Sequence, residues 1–117
     1  MPQTVNTVSW EVIEKHYTDL IANGWLLEPM LSLIKFIKNN DLDKRLFSYT
    51  SLDSLVVTIY NPAEWHRESL HIQFGQQSET WHFEYFSRPD EPGKVERYYN
   101  SEEGISKFSQ IIDYLKW

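Results

Sequence analysis

Between Ser9 and Ala22, Trp10, Ile13, Tyr17, Leu20 and Ile21 recur at steps of three and four, with Glu11, Glu14, Lys15 and Asp19 between them. That spacing predicts one amphipathic helix. Thr7 or Ser9 can cap its start, and Asn23-Gly24 supplies the left-handed position that ends it and folds Trp25 back onto the last turn. Pro29 suits the first turn of a second helix, where its missing N–H would have no partner anyway. Met30, Leu33, Ile34 and Ile37 form the buried stripe there, widened by Leu31 and Phe36. Lys35 and Lys38 complement the dipole near its end, before Asn39-Asn40 breaks the pattern. Two helices joined by so short a turn make an antiparallel hairpin.

After the polar stretch DLDKR the period changes to two. Leu46–Thr50 is a short candidate strand, and Leu55–Tyr60 (LVVTIY) is a second, since β-branched and aromatic residues fit a pleated surface. NPAEWHRE reads as a loop opened by its Asn-Pro pair. Residues 69–74 and 80–86 alternate, as do residues 94–99 after the turn-rich SRPDEPG, which predicts a meander of four or five antiparallel strands. A third helix runs from about Ser101 to Leu115, with Asn100 at its N-cap and Glu103 three residues on as a variant capping box. Ile105, Phe108, Ile111, Ile112 and Leu115 line one of its faces.

Because all three helices are one-sided, they are expected to cover one face of the sheet. The result is an α+β two-layer fold of order α-α-β-β-β-β-β-α. A length of 117 residues, 41% hydrophobic and 15% aromatic, fits one domain over residues 1–117 with a substantial core. The net charge of −6 argues against a nucleic-acid or anionic-lipid partner, both of which are met by excess Lys and Arg. The acidic excess sits in residues 51–117, with eleven Asp and Glu against six Lys and Arg, so an acidic face is expected from the second half. Without cysteine there is no disulfide, thiolate zinc site or cysteine nucleophile. The N-terminal stretch lacks the basic start and apolar run of a signal peptide, and no stretch approaches the roughly 20 apolar residues of a membrane span, so a cytoplasmic location is expected.

Three constellations hold candidate chemistry. In HIQFGQQSETWHFEYF, residues 71–86, parity places Leu70, Ile72, Phe74, Trp81, Phe83 and Tyr85 on one face and His71, Gln73, His82, Glu84 and Phe86 on the other, with His71 opposite Glu84. The plainer reading of His71, His82 and Glu84 is the solvated face of an antiparallel sheet; beside it they are candidates for a metal site or an acid–base pair. No third metal ligand stands at a telling spacing. The loop residues Glu64, Trp65, His66 and Arg67 match the residue types of interface hot spots. Asp90, Glu91 and Glu96, in the charge-rich stretch 87–103, can form an acidic patch for a basic partner. Trp117 is expected to pack back on the sheet or the helix hairpin, and His16 to lie at the border of the first helix's apolar stripe. No phosphate-binding glycine loop, dinucleotide fingerprint, zinc-protease motif, calcium loop or nucleophile elbow is present, so no cofactor is called for and an enzyme is disfavoured.

The arrangement of LFSYTSLDSLVVTIY, LHIQFG, WHFEYF and ERYYNSEEGISKFSQIIDYL, over residues 46–115, resembles small, acidic, cysteine-free immunity proteins of bacterial polymorphic-toxin and contact-dependent inhibition systems. The resemblance implies a non-enzymatic protein that neutralises a cognate and often basic toxin domain by stoichiometric binding; a monomer or homodimer is expected. The alternatives are a small metal- or His/Glu-dependent enzyme working on the open sheet face and a homodimeric scaffold.

Overall fold

The protein is described from a computed structural model, which defines residues 4–51, 53–64, 67–87 and 95–117. Helix α1 spans Trp10–Ala22, and the Ser9 hydroxyl caps it by accepting the Val12 N–H at 3.3 Å. Thr7 instead donates its hydroxyl to Asn61 Oδ1 at 2.7 Å. At the other end the Trp25 N–H reaches the Leu20 carbonyl (3.1 Å) and the Gly24 N–H reaches that of Ile21 (3.0 Å), with Gly24 at φ 95°. This paired closure occupies carbonyls that the helix end would leave bare. The Trp25 backbone folds back as expected while its side chain stays exposed.

Helix α2, Glu28–Asn39, buries Met30, Leu33, Ile34 and Ile37, the stripe read from the sequence. Lys38 Nζ lies 3.4 Å from Glu14 and 3.8 Å from Glu11, joining α2 to α1. Partly exposed pairs of this kind contribute tenths of a kcal/mol, so the apolar stripe is the main adhesive. A single 3-10 turn, Leu42–Lys44, then turns the chain toward the sheet and places Leu42 and Leu46 in the core. Trp10 Nε1 donates to the Leu46 carbonyl at 3.0 Å, fastening the start of α1 to the start of the sheet.

The strands are β1 (Thr4–Val5), β2 (Phe47–Ser51), β3 (Ser54–Thr58), β4 (Ala63–Glu64), β5 (Ser69–Gly75), β6 (Thr80–Phe86) and β7 (Val95–Asn100). Five of them form the predicted antiparallel meander, in the order β2-β3-β5-β6-β7. β1 and β4 pair separately as a two-residue ribbon, which the sequence reading missed by leaving residues 61–68 as loop. Segments that short carry no periodicity.

Helix α3 spans Gly104–Leu115, starting three residues later than the pattern suggests. The reciprocal Asn100/Glu103 pair does form: Asn100 Oδ1 accepts the N–H groups of Glu102 (3.1 Å) and Glu103 (3.0 Å), and Glu103 Oε1 accepts that of Asn100 (3.4 Å). It closes a separate turn over residues 101–103, after which the helix begins.

Leu55, Val57, Leu70, Ile72, Phe74, Trp81 and Phe83 join the buried stripes of all three helices in one core, which defines two layers with the helices on one side. Trp81 lies beneath the entry to α3. Its Nε1 donates to the Ser101 carbonyl at 3.1 Å, and a Cβ on Gly104 would fall 2.2 Å from its ring. The Trp117 ring meets that of Tyr85 at 6.1 Å, and the Trp117 carbonyl accepts from Arg45 Nε at 2.9 Å. Among the described residues, no helix is long and apolar enough to cross a membrane.

Candidate functional site

The face of the sheet turned away from the helices is built by parity. β5 and β6 pair in full register from Ser69↔Phe86 to Gly75↔Thr80, so Phe74 stands opposite Trp81 in the core and His71 opposite Glu84 outside, as the alternation predicts. The register continues through β7, where Glu84 faces Glu96 and His82 faces Tyr98. On the other side it continues through β3, where His71 faces Val56. Val56 is only 1% exposed although it lies outside the main core, so the outer face is closed over β3 and opens toward β7.

Toward the open end, His82 Nε2 lies 3.1 Å from Glu96 Oε1 and 3.3 Å from Glu84 Oε1. The Tyr98 ring stacks on that imidazole, with centroids 4.5 Å apart and planes within 8°, and is itself 66% exposed. His71 faces Glu84 across the strands but makes its side-chain contacts elsewhere. Its Nε2 lies 3.2 Å from the Ser69 hydroxyl, and its ring meets Phe86 edge-on at 4.7 Å. The sequence grouping of His71, His82 and Glu84 thus separates, and Glu96 takes the third place beside His82.

Burial holds the His71 pKa below its ordinary value, partly opposed by the Glu84 carboxylate across the strands. The native state therefore takes up this proton less readily than the unfolded chain. The associated stability is complete above the unfolded value of 6.5 and is lost as pH falls through the lower folded value. In His71→Gln, the drop in melting temperature between about pH 7.5 and pH 5.5 should be smaller than in the parent. An equal or larger drop would show that this ring does not set the acid sensitivity.

The loop candidates fall in three places. Glu64 and Arg67 form an ion pair at 3.0 Å, and the Arg67 guanidinium lies over the Tyr60 ring at 5.0 Å. Tyr60 donates its hydroxyl to Glu68, and that hydrogen bond is the main reason its pKa is raised. These contacts hold Tyr60, Glu64, Arg67 and Glu68 together; Trp65 and His66 lie outside the described residues, as do Asp90 and Glu91. Glu96 sits on β7, on the open face.

A cavity of roughly 410 Å³ also lies on the helix side, between the β6–β7 pair and α3, lined among others by Tyr85, Arg97, Tyr99, Ile111 and Tyr114.

Together these features define an α+β two-layer protein with a His82, Glu84, Glu96 and Tyr98 cluster on the outer face of an antiparallel meander, where that face opens toward β7. In comparisons with known proteins, no family model, no curated protein and no solved structure matches the chain.

Proposed function

We propose that this chain is a non-enzymatic binding protein that neutralises a basic bacterial toxin domain by direct one-to-one contact in the cytoplasm. The observation that supports it most is the exposed Tyr98 ring, flanked on the open face by the Glu84 and Glu96 carboxylates. Tyrosine anchors protein interfaces because a large, stiff ring with a polar tip loses little entropy on docking. Carboxylates around it favour a cationic partner and speed encounter, in keeping with the net charge of −6. The family resemblance over residues 46–115 gives the partner its class.

The reading expects the neighbouring gene to encode a toxin domain, and the test is titration of the chain with that domain. A one-to-one complex that weakens steeply with salt is expected. Tyr98→Ala should reduce affinity about 30-fold or more, and Glu96→Lys should chiefly slow association. Absence of a complex at low salt, or affinity untouched by either change, would refute the reading. A dimeric elution volume with no partner bound would favour the scaffold alternative instead.

A further inference from the structure

We infer that His82, Glu84 and Glu96 form a binding site for one divalent zinc ion on the outer face of the sheet. The site shares Glu84, Glu96 and the stacked Tyr98 with the proposed partner surface but does not rest on that reading, because its test uses the chain alone.

The argument starts from strand geometry. His82 and Glu84 are two apart on β6 and so project from the same face, while Glu96 is brought beside them by its register on β7. Metal–ligand distances of about 2.0–2.2 Å at tetrahedral to octahedral angles put neighbouring donor atoms roughly 2.8–3.6 Å apart. The His82 Nε2 distances of 3.1 and 3.3 Å to the two carboxylates fall in that range, and all three donor atoms lie within 4.8 Å of one another.

Charge and stoichiometry point the same way. Glu84 and Glu96 are direct cross-strand partners, and like charges so placed repel. His82 Nε2 lies within reach of an oxygen of each, so a divalent ion at that nitrogen can be bonded by all three groups at once. The stacked Tyr98 ring holds the imidazole plane in place, so the nitrogen's direction is set before the ion arrives.

The donor set selects the metal. One imidazole and two carboxylates suit a borderline cation such as zinc, whereas calcium seeks six to eight oxygens and magnesium a hydrated octahedron. Three protein ligands leave at least one position for water or for a group from outside the chain.

The experiment is calorimetric titration of untagged protein with zinc chloride in a non-chelating buffer, with folding of each variant checked by circular dichroism. One zinc per chain is expected, with calcium chloride binding at least about tenfold more weakly. His82→Ala should abolish binding, and Glu96→Gln, an exposed and structurally mild change, should weaken it at least about tenfold. His71→Gln should leave it unchanged. No zinc uptake by the parent protein overturns the site. So does binding that survives both His82→Ala and Glu96→Gln, or that is lost with His71→Gln.

Discussion

A Gly104→Ala variant is expected to lose about 2–3 kcal/mol of stability, a fall in melting temperature on the order of 10 °C. Two effects oppose each other at this position. Alanine is the better helix former by roughly 0.5–1 kcal/mol, which would stabilise α3. Against it, the new Cβ would sit 2.2 Å from the ring of Trp81, which is fully buried among Phe74, Phe83 and the α3 stripe and held by its bond to Ser101. A close-packed interior cannot yield that much without displacing either the helix or the indole, so the steric cost wins. Thermal unfolding measures it, and Trp81→Phe, which shortens the ring, should make the Gly104→Ala change less costly in a double-mutant cycle. A single variant melting at or above the parent temperature would show that α3 moves freely on the sheet.

The second large effect belongs to Trp10. Truncation to alanine should cost about 3–5 kcal/mol, because the side chain is almost wholly buried and the Leu46 carbonyl loses its indole donor. Against a typical stability of about 5–15 kcal/mol, that leaves a marginal protein. Trp10→Phe keeps much of the ring volume and removes only the N–H, so it should cost about 1–3 kcal/mol. Urea unfolding of the pair separates packing from hydrogen bonding. If Trp10→Phe proves as damaging as Trp10→Ala, the hydrogen bond to Leu46 outweighs the burial.

Much of this architecture is legible in the sequence because it depends on local period. The stripe Met30, Leu33, Ile34 and Ile37 is buried as its spacing predicts, Gly24 ends α1 as its freedom of φ allows, and the hairpin register His71↔Glu84 follows from parity alone. What local period cannot supply is the alignment of one strand on another across a long connection. Parity within KVERYY puts Glu96 and Tyr98 on one face, but only the β6–β7 register brings them to Glu84 and His82. That is why Glu96, the second carboxylate beside His82, is not visible in the sequence. For the same reason, nothing in NSEEGISKF showed that Gly104 abuts Trp81, a contact made across more than twenty residues of chain. Val56 departs from simple alternation for another reason: β3 is an interior strand between β2 and β5 whose outer side is also buried, so Leu55, Val56, Val57 and Thr58 are all buried.

The two margins of the meander differ in how they could seed aggregation. A bare sheet margin is a template on which foreign chains can add. β2 forms one margin, and the Val8 N–H already reaches across to the Ser48 carbonyl at 2.9 Å, so the N-terminal segment occupies part of it. β7 forms the other, where Glu96 and Arg97 stand in the middle of VERYYN and would set an incoming strand's charges against them. The same two residues that make this margin inhospitable to arbitrary chains would leave it selective for a strand of matching charge pattern.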